Sequence, residues 1–369
     1  MIYAPFVRKT GRCVLHLQRI TNKSANVNRF LKGFFIIILG SLCTGSFAQK
    51  GGTQAFSFLN LPNSARVAAL GYNFVAIDDN DLSIGLNNPS LINAEMHNDI
   101  SLNFVDNYAD ISYGFASYSR TFEKLGSFAA TVQYIDYGTF TRTDETGEVN
   151  GEFSSNEFAP VIGWGRRLDS SFSIGANFKA VYSSFETFNS FGLAVDVAGS
   201  YHAPKTGFVM SLVARNIGMQ LTEFTPGNKE PLPLEVQFGL SKKLQHLPFR
   251  YSLLLTNLQK WDLTYTDPAE DNIDPFTGEL KEKSKAGEIA DKAMRHVVIG
   301  GEFVPSRNFS VRFGYNYQRR QEMKLETKRS TVGFSWGFGF RVSRFNLSYA
   351  RSAYHISGSP NIFSLGINL

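Results

Sequence analysis

The chain has 369 residues, 33 of them Phe, and a formal charge of +5. It is long for one soluble domain and too aromatic, at 14% Phe, Trp and Tyr, for a disordered chain. Its positive charge does not mark a nucleic-acid binder, because it is confined to the first residues.

Residues 1–48 hold seven basic side chains, from Arg8 to Lys32, and no Asp or Glu. The apolar block Gly33–Gly40 follows, then Ser46-Phe47-Ala48. This order predicts a secretory signal peptide cut after Ala48, leaving −2 on residues 49–369. The apolar block is too short for a transmembrane helix. It is also too continuous for an amphipathic mitochondrial presequence. Both cysteines, Cys13 and Cys43, leave with this leader, so no disulfide or thiolate metal site is expected. Leu42 before Cys43 argues against a lipid anchor.

Residues 49–97 do not alternate. Ser64–Gly71 reads as a short helix capped by Ser64 and Gly71. Asn88-Pro89 opens another helical turn. The segment is expected to be a plug inside a barrel, or a collar beneath one.

From residue 98 onward the chain alternates with a period of two, the signature of extended strands. Fourteen strands are predicted, centred near Leu102, Phe115, Val132, Ile162, Ala176, Val195, Leu212, Val236, Leu253, Ile299, Phe313, Trp336, Leu347 and Leu365. The C-terminal strands are the clearest. Val332, Phe334, Trp336, Phe338 and Phe340 share one face, and Gly333, Ser335, Gly337 and Gly339 the other. Phe309 to Tyr317 alternates likewise, and so does Phe363 to Leu369.

A soluble sandwich also alternates. Three features favour lipid on the bulky face: strands of about ten residues, aromatic dominance of that face, and alternation running to the last residue. The connections point the same way. Short ones are expected at 122–126, 168–171, 203–207, 242–248, 305–308 and 341–344. Longer ones are expected at 138–155, 183–190, 218–233, 259–293, 319–330 and 356–360. Short turns on one side and long loops on the other suit an outer-membrane barrel. The predicted fold class is an all-β transmembrane antiparallel barrel of about 14 strands, residues 98–369, with a partly helical plug, residues 49–97.

Several stretches add up to a resemblance. They are Ser64-Ala65-Arg66-Val67-Ala68-Ala69-Leu70-Gly71, Phe74 to Asp79, Asn88-Pro89-Ser90-Leu91, Asn189 to Asp196, Thr225 to Asn228, Gly314 to Arg320 and Gly333 to Gly337. Over residues 50–369 the chain resembles the PorV/PorQ family of outer-membrane barrels, relatives of the FadL transporters. Tyr72 stands where that family usually has glycine. Ser64, Arg66, Gly71, Asn88 and Pro89 carry the N-terminal signature. The resemblance implies a non-catalytic part of the type IX secretion system. It also implies outer-membrane lipid around the barrel and partners PorZ, PorU and PorV, with PorZ held at the cell surface. A FadL-type channel for hydrophobic solutes is the alternative.

Other chemistry is weakly signalled. Gly333-Phe334-Ser335-Trp336-Gly337 matches a nucleophile elbow, but it lies within a strand pattern where the elbow needs a strand–turn–helix. His97, His202, His246, His296 and His355 form no metal-binding pair. Asp78 to Asp81 and Asp267 to Asp274 lack EF-hand spacing and read as solvated loops. Lys179, Asp196, Arg215, Glu235, Glu302 and Arg312 are expected to face the lumen with mixed signs. Such charges can pair across a filled barrel, whereas a selective pore favours one sign. No cofactor, metal, catalytic residue or nucleic-acid partner is expected. Trp261, Tyr265 and Phe276, on the longest surface loop, are the candidate partner-binding residues.

Overall fold

Alternating bulky and small residues cannot bury both faces of a sheet against water, so the sheet closes on itself. The computed structural model describes residues 54–108, 110–264, 284–323, 330–354 and 358–369. The leader, Tyr265, Phe276, the 267–274 acid run and His355 lie outside them.

Fourteen antiparallel strands form one closed barrel. They are β1 (Asp99–Asp106), β2 (Ser112–Phe122), β3 (Gly126–Thr143), β4 (Val149–Arg167), β5 (Phe172–Phe185), β6 (Phe188–Ala203) and β7 (Phe208–Thr222), then β8 (Glu235–Lys243), β9 (Phe249–Leu255), β10 (Val297–Ser306), β11 (Phe309–Asn316), β12 (Phe334–Val342), β13 (Phe345–Ser352) and β14 (Asn361–Asn368). Each predicted centre falls within its strand. The last strand pairs with the first from Asp99↔Asn368 to Asp106↔Asn361. The alternation to the C-terminus therefore has a partner, and no sheet edge is left in the wall.

The bulky face is outside. Leu102, Ile162, Phe178, Leu212, Phe313, Phe334 and Trp336 are all exposed. Aromatic rings run across β12, β13 and β14: Trp336 lies 5.8 Å from Tyr349, and Tyr349 lies 5.3 Å from Phe363. Such cross-strand pairs stabilise a sheet by fractions of a kcal/mol each, about 0.2–1. A continuous apolar exterior around a closed barrel is the form in which strands cross a membrane. Among the described residues no helix is long and apolar enough to do so.

Two ends differ. At the short-turn end, connections have two to five residues. At the other end, two expected loops are strand instead. β3 and β4 pair out to Thr143↔Val149, so 138–155 is largely a two-stranded ribbon. β5 and β6 pair out to Phe185↔Phe188, closing 183–190 in a tight turn. Both misreadings have one cause: beyond the lipid the alternation of apolar and small residues is no longer required, while backbone pairing continues. Two boundaries also move. Val332 precedes β12 and is buried, not lipid-facing. Tyr317 does not continue β11 but starts a short helix, Tyr317–Met323.

Residues 54–97 fill the interior. Helix α1 (Ala65–Ala69) packs on β11 to β14. The 3-10 turn Pro89–Leu91 packs on β4 to β6, across the lumen. Most of the segment is fully buried, including Phe74, Val75, Ile77, Leu91 and Met96.

The outward face yields a depth test. Phe313→Arg, in the middle of β11, should destabilise the barrel by about 2–4 kcal/mol, and Phe345→Arg, at the start of β13, by no more than about 1 kcal/mol. Urea unfolding in lipid vesicles measures both. Equal costs would contradict the placement of the lipid band.

Candidate functional site

The candidate site is the plug and the wall it closes on. Ser64 caps α1, its hydroxyl accepting from the Val67 N–H at 3.4 Å. Such a cap contributes about 1 kcal/mol. Leu70 ends the helix, and Gly71 follows at φ +105, its N–H donating to the Ala68 carbonyl. That left-handed turn needs glycine. It also lets the chain touch the wall. A Cβ on Gly314 of β11 would stand 2.0 Å from the Leu70 carbonyl carbon. Across the lumen a Cβ on Gly175 of β5 would stand 2.3 Å from the Pro89 carbonyl carbon. The small inward face of the strands is therefore the seat of the plug backbone.

Asn88 organises the second contact. Its side-chain oxygen accepts from the Ser90 N–H at 3.0 Å and the Ser90 hydroxyl at 2.6 Å. Its amide donates to the Val75 carbonyl and to Ser200 of β6. Pro89 occupies the first helical position, where its missing N–H costs nothing.

Charge fixes the plug's short-turn side. Arg66 donates from Nε and Nη2 to both Glu302 oxygens, each at 2.9 Å. It grips Asp79 with two further bonds and reaches Asp81 at 3.1 Å. Arg250 bridges Asp79 and Glu302 at 3.0 Å each, and Arg312 donates to Glu302 at 2.8 Å. Three guanidinium groups thus meet three carboxylates. The acid run read as a solvated loop is in fact consumed by arginines, since Asp78 also pairs with Arg167 at 3.0 Å. Among the described residues no group of three or more His, Cys, Asp or Glu side chains is placed to hold a metal ion.

A second polar cluster is wholly buried. Lys179 pairs with Asp196 at 2.8 Å and donates to the Asn216 side chain at 2.8 Å. Asn216 sits in the left-handed region at φ 57, next to a register shift between β6 and β7. That bend aims its N–H at Asp196. Arg215 lies 3.9 Å from Glu235 and donates to the Leu59 carbonyl of the plug. Tyr72 reaches Glu235 with its hydroxyl at 3.4 Å. All six expected lumen charges are buried, and each lies beside an opposite charge. Arg250 was missed, although its inward parity in β9 marks it.

Aromatic rings close the loop end. Phe56, held at φ 59, lies 6.3 Å from Phe224. Phe224 lies 5.6 Å from Phe185, and Phe185 lies 5.5 Å from Tyr137. The Ala55 N–H donates to the Pro231 carbonyl, tying the plug to the β7–β8 connection.

The remaining candidates are placed as follows. Trp261 is 60% exposed, its ring stacked 5.8 Å from His296. It stands near helix α2 (Lys285–Met294), which has no buried residue. Tyr265 and Phe276 cannot be placed beside it. Ser335 lies inside β12, facing inward, with no helix after it, so the nucleophile-elbow geometry does not form.

No family model matches the chain, and no curated protein matches it. Solved structures do. The Pseudomonas putida toluene transporter TodX aligns with a TM-score of 0.48 and 11% identity, covering 85% of this chain and 98% of that one. The CymD monoaromatic hydrocarbon channel gives 0.46 and 14%, covering 84% and 97%. A Pseudomonas aeruginosa FadL homologue gives 0.42 and 10%, covering 82% and 97%. The strand count and closure rest on the pairing described above.

Two predictions follow from the seat of the plug. Gly314→Ala should unseat α1 and expose residues 54–97 to trypsin, while Gly199→Ala, with open space around its Cβ, should not. Equal protection in both variants would contradict the seating. Glu302→Gln should cost about 3–5 kcal/mol, since it leaves buried arginines uncompensated. Urea unfolding of the vesicle-embedded barrel measures it; a cost under about 1 kcal/mol would show that the network is not buried.

Proposed function

We propose that the chain is a non-catalytic outer-membrane barrel of the type IX secretion attachment complex, similar to PorQ. It holds PorZ at the cell surface and supports cargo attachment with PorU and PorV. The filled lumen carries this reading. Wall glycines, two charge clusters and an aromatic lid all bind the plug in place, which suits a scaffold better than a conduit. The resemblance of the stretches from Ser64 to Leu91 and from Gly314 to Gly337 to that family supports the reading.

A scaffold needs a surface, and the β3–β4 ribbon offers one. Beyond Asp136 and Ser155 its two strands pair only with each other, so both outer edges are open to an added strand. Phe140 and Phe153 stack at 5.3 Å on one face. Asp144, Glu145, Glu148 and Glu152 make the tip acidic, and Arg142 is already paired with Glu186 at 2.8 Å. The tip is ordered: Asp144 accepts from the Thr146 hydroxyl and N–H and the Glu148 N–H. Those bonds, the Thr146 hydroxyl first, hold the Asp144 carboxyl below its ordinary pKa. A preformed acidic ribbon suits a partner with a basic surface and loses little entropy on docking.

The second reading is a channel for hydrophobic solutes. Its support is the FadL-like sequence resemblance; the apolar groove of about 690 Å³ lined by Phe104, Val132, Phe340, Leu347 and Phe363 lies on the lipid-facing wall, outside the lumen.

Replacing residues 139–154 by a two-residue Asn-Gly turn separates the readings. The barrel should still assemble, PorZ should be shed from intact cells, and toluene uptake should not change. Full surface PorZ in that strain would remove the ribbon as its dock. Full surface PorZ in a strain lacking the whole chain would overturn the anchoring function. Lost toluene uptake with intact cargo attachment would favour the channel.

A further inference from the structure

The short-turn end opens into a polar cavity of about 620 Å³, whose floor is the charge network that fixes the plug and whose rim that network does not use. Its floor is plug: Arg66, Asp79 and Asp81. Its walls are the ends of β1 and of β8 to β14 and the turns between them. That volume falls within the range of ordinary ligand sites, about 300–1,000 Å³, but the lining is polar where such sites are mostly apolar. A ligand here must itself be polar.

The charge on the lining has a sign. Six cations face the cavity: Arg66, Lys243, Arg250, Arg307, Arg312 and Arg341. Four carboxylates face them: Asp79, Asp81, Asp99 and Glu302. The inner three arginines and three of the acids neutralise one another in the network described above. Lys243, Arg307 and Arg341 remain at the exposed rim, with no ion pair among the described residues. The excess is positive and lies where a solute enters.

Donors also remain. Arg250 uses only Nη1 in the network. Arg312 uses Nε on Glu302 and Nη1 on Ser348. Arg250 Nε and Nη2 and Arg312 Nη2 have no hydrogen-bond partner among the described residues, and none of them is shut away from solvent. Guanidinium groups held by buried carboxylates are fixed in orientation, and their spare N–H groups match the oxygens of a carboxylate or phosphate. Gly339 keeps this space clear: a Cβ there would stand 2.9 Å from Arg312 Nη1.

We propose that this cavity binds a small polar oxyanion, a carboxylate- or phosphate-bearing solute, from the short-turn side of the membrane. The rim cations attract it and the spare guanidinium N–H groups of Arg250 and Arg312 receive its oxygens. The proposal stands whether the barrel is an anchor or a channel, since it concerns the end away from the ribbon.

Isothermal titration of the whole purified barrel in nanodiscs tests it, with citrate as the carboxylate probe and inorganic phosphate as the other. Saturable one-to-one binding of either probe is expected, and the tighter of the two identifies the oxyanion. The double variant Arg307→Glu, Arg341→Glu should weaken that binding at least tenfold. Lys124→Glu makes a charge change in the β2–β3 turn at the same end, outside the cavity lining, and should leave binding within twofold. The altered side chains are exposed, so folding should hold, and heat-modifiable gel migration checks that. No saturable binding of either probe would overturn the proposal. So would equal weakening by the double variant and Lys124→Glu.

Discussion

Backbone polar groups have no partner in hydrocarbon, and this constraint shapes the whole chain. The pairing of β1 with β14 removes the last open edge. Once the wall closes, its exterior must be apolar and its interior must be occupied or wet. Most bulky residues are committed outward, so the inward face mixes glycine, serine and a few charges with a smaller set of apolar side chains such as Val105, Phe115 and Val181. Those small residues leave a lumen that the strands alone cannot fill. The segment from residue 54 to residue 97 is the consequence. Its short helical turns satisfy their own backbone groups and pack apolar side chains against the inward apolar residues of the strands, among them Val105, Phe115, Val161 and Val298.

Burying charge inside this packing is costly unless every ion finds a partner. The structure meets the condition by making pairs bridge plug and wall. Arg66 belongs to the plug, Glu302 to β10, and neither is tolerable without the other. The arrangement specifies position as well as stability. Apolar contacts would let a short helix slide along a glycine wall, whereas a guanidinium held by three carboxylates has one place to sit. The same logic places Arg215 beneath the Leu59 carbonyl, so the plug's upper half is also registered by a wall charge.

The strands were legible because lipid and lumen impose opposite demands on alternate residues, and Phe334 to Phe340 records both. Legibility failed where those demands stop. The ribbon beyond Asp136 pairs as well as the membrane span, but nothing fixes what its two faces carry, so Thr139 to Thr143 reads as loop. The charge network was half legible. Glu302 and Arg312 stand at inward parity in clean strands, and Arg250 does too. Asp79 and Asp81 lie in a segment without period, where an acid run meeting water and one meeting buried arginines look alike. Only tertiary structure distinguishes them. Trp261 carries both signals: an aromatic among charges reads as a docking residue, and its ring, stacked on His296, is still 60% exposed.

The two ends of the barrel differ in what they present. At the loop end the plug is capped by Phe56, Phe224 and Phe185, so what that end presents is surface, chiefly the acidic ribbon. At the short-turn end the plug stops short of the rim and leaves a charged cup. A channel needs the two ends connected, and here the path between them is crossed by Lys179–Asp196, by Arg215 on the plug and by the Leu70–Gly314 contact. Opening it would require breaking paired buried charges together with backbone packing, at several kcal/mol for each buried pair broken. Binding at either end gives no such energy unless the ligand also contacts those pairs. The plug and the wall are therefore held as one rigid body between two chemically different ends.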